Sequence, residues 1–220
     1  MAYNILFIDE ESSQHERFLD YFEIVCPEIV PKCVFPEASL EEMLETLSDM
    51  HPDAIVTDYV LNEIKTDICY NVDYTGIELV DAIHKRREGF PCFIITSFDD
   101  TAVDATDDVN LVYIKDVLNT KKDTTKDTSK VTFAQRIISQ VDKYRSKIDH
   151  AKEELSALVE KRVKGQTGAY EEDRIIKLDS FLEGALDAYD AIPSRMKELS
   201  NLDKLNELIG KADEILKKLD

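Results

Sequence analysis

Short apolar runs and longer amphipathic stretches take turns from the N-terminus to about residue 145. A chain that alternates in this way builds βα units, which close into a parallel sheet with helices on its faces. Five runs have strand character: Asn4 to Ile8, Pro31 to Phe35, Ala54 to Thr57, Cys92 to Thr96 and Leu111 to Ile114. Three of these are almost continuously apolar, as strands buried on both faces must be. Pro31 and Pro36 cannot donate to a hydrogen-bond ladder, so the second run suits a sheet edge.

Helices are expected between the runs. Ser12 or Ser13 stands ahead of Phe18, Leu19 and Phe22, and Ser39 ahead of Leu40, Met43, Leu44 and Leu47. Gly76 opens a third helix through Ile77, Val80 and Ile83. The acidic stretch from Thr101 to Asp108 predicts a short fourth helix, and the Lys/Asp/Thr-rich segment from Leu118 to Lys130 reads as an exposed loop.

After Phe133 the pattern becomes a sustained heptad of Ile137, Val141, Tyr144, Ile148, Ala151, Leu155 and Leu158. That spacing predicts one long helix towards Lys164, with a turn at Gly165 and Gly168. Ile175, Leu178, Leu182, Ala185, Tyr189 and Ile192 form a second stripe; Leu202, Leu205, Ile209, Ala212, Leu216 and Leu219 form a third. The organisation expected is an α/β domain over residues 1–145 and a helical extension over 146–220. The extension reads as an antiparallel bundle, or as a smaller unit that forms a homodimer.

Charge excludes some partners. The chain holds 27 Lys+Arg against 46 Asp+Glu, a net −19, and such a surface repels nucleic-acid backbones and anionic membranes. Residues 148–220 alone hold 12 Lys+Arg against 17 Asp+Glu, so a basic recognition helix is absent and DNA is not an expected partner. Cys26, Cys33, Cys69 and Cys92 show neither C-x-x-C nor zinc-site spacing and read as reduced thiols. No signal peptide or membrane-spanning run is visible, and a cytoplasmic location is expected. His15, His51, His84 and His150 share no spacing, which suits surface or packing roles.

The chemistry collects at strand ends. The first run ends in Asp9 and Glu10, the third in Asp58, the fourth in Thr96 and the fifth in Lys115. In an open parallel sheet the carboxyl ends of the strands line the ligand crevice, so these residues converge although they are far apart in sequence. Clustered carboxylates share a proton or hold a hard divalent cation, and Mg²⁺ suits oxygen ligands beside a phosphate. A nucleophile, a metal, a hydroxyl and a cation are the parts that phosphoryl transfer needs.

Over roughly residues 3 to 145 the chain resembles the receiver domain of two-component response regulators. Ile8-Asp9-Glu10 resembles that family's acidic pair, Asp58 its phosphoacceptor, Thr96 its switch hydroxyl, Lys115 its lysine, and Thr75-Gly76-Ile77-Glu78-Leu79 its lead into the third helix. The resemblance implies a flavodoxin-like doubly wound sheet of five parallel strands in the order 2-1-3-4-5. It implies direct Mg²⁺ ligation by Glu10 and Asp58, a mainly water-mediated role for Asp9, and the backbone carbonyl of Val60 as a further ligand. It also implies a histidine kinase as phosphodonor and no turnover of external substrates, so the protein is not expected to be an enzyme in the ordinary sense.

The chain departs from the family at three places. Asp116 follows Lys115 where proline is usual, and Val112 occupies the usual position of a switch aromatic, with Tyr113 expected on the opposite side of the strand. Asp58 and Gly76 are also far apart for a βα connection, which commonly has roughly 2 to 6 residues, so an insertion from about Glu63 to Tyr74 adjoins the site. It reads equally as a lid or partner-selecting loop and as a loop packed on the surface.

Two functions remain open at this level. One is a phosphorylated response regulator whose output is protein contact through the extension, or which serves as a phosphate sink. The other is a pseudo-receiver that is never phosphorylated and acts as an interaction or oligomerisation scaffold. A phosphatase with a strand-end Asp nucleophile would want an acid where Val60 stands, and is disfavoured.

Overall fold

Each of the five apolar runs pairs into one parallel sheet. The computed structural model describes residues 3–62, 67–97, 111–119 and 131–186. Within them the strands are β1 (Tyr3–Ile8), β2 (Ile29–Val34), β3 (Ala54–Asp58), β4 (Cys92–Thr96) and β5 (Val112–Ile114), ordered β2-β1-β3-β4-β5. The helices are α1 (Ser12–Val25), α2 (Leu40–Met50), α3 (Gly76–Arg86), α4 (Phe133–Val163) and α5 (Ala169–Leu186). The expected fourth helix at 101–108, most of the loop to Lys130 and the third apolar stripe lie outside the described residues.

The strands β3 and β4 are buried along their whole length, as central strands covered on both faces must be. Pro31 sits on β2, an edge of the sheet, where its missing N–H breaks no interior ladder. β1 and β3 each run one residue beyond the expected bounds, to include Tyr3 and Asp58, and two further strands are shifted. Register sets β2 two residues earlier, because Tyr3 of β1 pairs with Ile29, and Phe35 falls past its end. In β5, Leu111 lies outside the strand, and pairing begins at Val112 opposite Ile94.

One face of the sheet presents Ile5, Phe7, Val56, Phe93 and Ile95 to Phe18, Tyr21 and Phe22 of α1 and to Phe133, Ala134, Ile137 and Val141 of α4. Alternation along the strands sends the equally buried Leu6, Ile8, Ile55 and Ile94 to the opposite face, which right-handed crossovers cover with α2 and α3. Capping explains where two of these helices start. Ser39 and Glu42 form a capping box at α2, and Thr75 and Glu78 form another at α3. At α1 the expectation is corrected: Ser12 is the first helical residue, not the cap, and Glu11 stands at the cap position without a side-chain capping bond.

The chain divides into two compact units, Met1–Lys147 and Ile148–Asp220. In the described part of the second unit, Ala151, Leu155 and Leu158 of α4 pack against Ile175, Leu178 and Leu182 of α5. Gly165 ends α4 with a positive φ of 66°. Its N–H donates to the Arg162 carbonyl at 2.9 Å and that of Gln166 to the Lys161 carbonyl at 3.0 Å, a Schellman closure that favours glycine. Ion pairs Arg174–Glu154, Lys161–Glu171 and Arg162–Glu172 flank the apolar seam and register the hairpin. No helix of the described residues is long and apolar enough to cross a membrane.

Candidate functional site

The strand order reverses between β1 and β3, because β1 is followed on one side by β2 and on the other by β3. At such a point the crossover helices diverge to opposite faces and leave a crevice at the carboxyl edge. Asp9 and Glu10 follow directly on β1, and Asp58 ends β3, so all three acids stand at that crevice. They are 0 %, 2 % and 7 % exposed respectively, which separates them from the many solvated acids of this chain. Each offers one carboxylate oxygen to a group whose members lie within 4.8 Å of one another.

Lys115 closes the pocket. It follows β5 at the start of a 3₁₀ turn (Lys115–Leu118), and its Nζ lies 3.1 Å from Asp9 Oδ2 and 3.1 Å from Asp58 Oδ2. Asp116 directly after it does not divert it from the two acids. Thr96 ends β4, one residue beyond the Asp58–Ile95 pair of the register, and is buried. Val60 lies two residues past the end of β3 and is half-buried. The expected site residues Asp9, Glu10, Asp58, Val60, Thr96 and Lys115 therefore occupy neighbouring positions along one edge of the sheet.

Tyr113 points away from that edge. Its ring lies 6.0 Å from Phe93 and 5.1 Å from Phe133, centroid to centroid, within the α1/α4 core, so it braces β5 and does not line the crevice.

The electrostatics follow from three buried carboxylates facing one ammonium. Burial, opposed by Lys115 and reinforced by Asp9 and Glu10, pushes the Asp58 carboxyl up to about 7. Asp9 is also raised, chiefly by burial, although Lys115 and the Glu11 N–H that donates to its Oδ1 at 2.9 Å oppose this. Burial alone would lower Lys115; the two carboxylates overcome it and hold the ammonium above its ordinary range. An excess of buried negative charge is costly unless a proton or a cation compensates it. Hard oxygen donors at this spacing fit a divalent ion such as Mg²⁺.

Two contacts of the site escaped the sequence reading. Gly76 opens α3 against the end of β3: its N–H donates to the Tyr59 carbonyl at 2.9 Å, and a Cβ on it would run into the carbonyl oxygen of Asp58. Only glycine allows α3 to approach that closely. The second is Asp67, whose Oδ2 accepts from both Ser12 N–H and Ser12 Oγ at 2.8 Å. A poor capping residue at Glu11 was the one available sign that α1 needs a partner from elsewhere.

The described part of the insertion, Asp67 to Tyr74, is packed. Ile68, Val72 and Tyr74 are buried; Tyr70 Oη donates to the Pro36 carbonyl at 2.7 Å, and Asp73 N–H to that of Ala38 at 3.2 Å. His15 bridges inward, donating from Nε2 to the Asp9 carbonyl at 2.9 Å, since a carbonyl can only accept.

No family model matches the chain, and no curated protein matches it. Among solved structures it is similar to a CheY-like response-regulator receiver protein of Methanospirillum hungatei, at 16 % identity and a TM-score of 0.45 over 67 % of this chain and 99 % of that one. It is similar to the RcsB response regulator of Salmonella typhimurium at 12 % identity and a TM-score of 0.42, over 87 % and 99 %. A third is the anti-anti-sigma factor PhyR of Bartonella quintana, at 17 % identity and a TM-score of 0.41, over 69 % of this chain and 52 % of that one. At these values the likenesses carry no weight on function. Strand order and register carry the fold: a flavodoxin-like, receiver-type sheet of five parallel strands ordered 2-1-3-4-5, followed by a helical C-terminal extension.

Proposed function

We propose that the protein is a response regulator that accepts a phosphoryl group on Asp58 from a histidine kinase. The observation that carries this reading is the pocket itself, in which Lys115 stands 3.1 Å from both Asp9 and Asp58 while Asp9, Glu10 and Asp58 converge within 4.8 Å. Asp58 is the nucleophile. Its ionised oxygen attacks the phosphorus, the P–N bond of the kinase's phosphohistidine breaks, and the electron pair goes to the imidazole nitrogen, which takes up a proton from solvent. The product is an acyl phosphate on Asp58.

Glu10 and Asp58 are the direct ligands proposed for Mg²⁺, with Asp9 acting mainly through water and the Val60 carbonyl completing the set. When bound, the ion supplies positive charge to oxygens of the transferring group. Lys115 carries a second positive charge to those oxygens, and the Thr96 hydroxyl donates to them. Since Asp58 sits near 7, at neutral pH much of it is protonated and unreactive; a cation held by Asp9 and Glu10 favours the nucleophilic carboxylate.

The output is proposed to be protein contact through the helical extension, either to an effector protein or to a second copy of the chain as a homodimer; a phosphate sink is the version without an effector. DNA and membranes are not proposed partners, given the net charge of −19. No turnover of an external substrate is proposed, and the site of action is the cytoplasm.

A second reading is a pseudo-receiver scaffold. The bridge from Lys115 to both acids favours it, because such a bridge stabilises the edge without any phosphoryl chemistry. Intact-mass measurement after incubation with acetyl phosphate and Mg²⁺ separates the two. The phosphorylated reading expects one added phosphoryl group, lost in Asp58→Ala; no mass gain in the intact protein supports the scaffold.

A further inference from the structure

The chain caps its helices in two ways. α2 and α3 carry their own capping boxes, Ser39 with Glu42 and Thr75 with Glu78. α1, the helix that leaves directly from the acidic pair, has Glu11 at its cap position in an extended conformation (φ −108°, ψ 122°) with no side-chain capping bond. The first N–H groups of a helix have no intrahelical acceptor, and a start without a cap frays.

The missing acceptor comes from 55 residues further along the chain. Asp67 Oδ2 takes the Ser12 N–H and the Ser12 hydroxyl, each at 2.8 Å. The adjacent amide is also engaged: Glu11 N–H donates to Asp9 Oδ1 at 2.9 Å. Two consecutive peptide N–H groups thus hold two carboxylates, one belonging to the pocket and the other to the loop after β3. Residues 67–74 of that loop are fixed, through buried Ile68, Val72 and Tyr74 and the bonds of Tyr70 and Asp73 to the carbonyls of Pro36 and Ala38.

We infer that Asp67 is a positioning residue for the cation pocket: it supplies from the β3–α3 loop the cap that α1 lacks, and so holds the Glu11–Ser12 backbone on which Asp9 and Glu10 are aimed. The two bonds from Ser12 also keep the Asp67 carboxyl below the usual carboxylate range, so it stays an acceptor through the neutral range. The inference rests on the proposed reading of Asp9, Glu10 and Asp58 as a Mg²⁺ site. It assigns the insertion a task in that site's geometry, a role that packing alone would not require.

The test is a calorimetric titration of the full chain with Mg²⁺ at pH 8, on the wild type and on Asp67→Ala, Asp67→Asn and Ser39→Ala, each also followed by thermal unfolding. Asp67→Ala is expected to weaken Mg²⁺ binding about fivefold, the scale of a lost helix cap. Asp67→Asn, which keeps an oxygen acceptor without the charge, is expected to stay within about twofold of the wild type. Ser39→Ala removes a cap of similar worth away from the pocket, and is expected to lower the melting temperature while leaving Mg²⁺ affinity unchanged. Unchanged affinity in Asp67→Ala overturns the inference, as does equal weakening in Asp67→Asn or Ser39→Ala. A wild type that binds no Mg²⁺ overturns the reading of the site and the inference together, which distinguishes the two failures.

Discussion

Gly76 and Asp58 meet backbone to backbone, so closely that a Cβ on Gly76 would collide with the Asp58 carbonyl oxygen and stand 3.1 Å from Thr57 Cγ2. The first turn of α3 is thereby held against the strand end that carries the proposed nucleophile. Thr57 Oγ1 donates to the same carbonyl at 3.1 Å, leaving it little freedom to move aside.

Gly76→Ala should therefore force α3 away from β3. Because the obstructing atom is backbone, the expected cost is about 1 to 3 kcal/mol of stability, together with weaker Mg²⁺ binding. Urea unfolding with and without Mg²⁺ measures both. Gly168→Ala, with nothing within 4 Å of the added Cβ, is the control for the collision: it should leave Mg²⁺ binding unchanged and cost only what alanine costs at a helix N-cap, about 0.5 to 1 kcal/mol.

The raised Asp58 carboxyl makes stability depend on pH. Folded Asp58 titrates at about 7 against 3.8 in an unfolded chain, so the folded state holds the extra proton between those values. Its contribution is complete below about pH 4 and is lost as pH rises through 7. Without Mg²⁺, the protein should lose stability between pH 5.5 and pH 8, and Asp58→Asn should flatten that loss. Mg²⁺ binds the ionised form, so its stabilising effect should grow over the same interval. Denaturation at the two pH values, with EDTA or Mg²⁺, tests the sign; a steeper loss in the presence of Mg²⁺ contradicts it.

Lys115→Met removes the positive charge facing Asp9 and Asp58. At pH 8 without Mg²⁺ the buried acids would be left uncompensated, at an expected cost of about 3 kcal/mol. At pH 5.5 the cost should be smaller, because Asp58 is then protonated. Phosphorylation should fall in the variant even where the fold survives, since nothing replaces the ammonium at the phosphoryl oxygens. Circular dichroism melts and intact-mass time courses separate the two effects.

Val60 is half-buried just past Asp58 and has no group that could orient an attacking water. The acyl phosphate should consequently be long-lived. Val60→Glu should shorten its lifetime roughly tenfold, less than a well-placed general base contributes. Loss of the phosphoryl mass with time reads this directly; an unchanged lifetime argues that water is limited elsewhere.

The sheet and the main actors of the site were legible because both depend on local sequence. The runs ending in Asp9, Asp58 and Thr96 are strongly apolar, and a parallel sheet gathers its strand ends whatever the loops do. The ladder, by contrast, sets the bounds of β2: Ile29 joins because Tyr3 pairs with it, a fact of register that no local propensity contains. Lys115 reaches both acids although Asp116 stands where proline is usual in receiver domains, because it directly follows β5 at the same edge of the sheet. Asp67 at the start of α1 and Gly76 against Asp58 were hidden, since each depends on how the long β3–α3 loop folds back. Such contacts are decided by tertiary packing, and their residue types alone are ambiguous.

The most direct test of the central claim identifies the side chain that carries the phosphoryl group. Borohydride reduction after incubation with acetyl phosphate and Mg²⁺ converts an aspartyl phosphate to homoserine, which peptide mass spectrometry can assign to a position. Homoserine at position 58, abolished by EDTA, is the expected result. Homoserine at another position, or none in protein that binds Mg²⁺ and remains folded, would contradict the account.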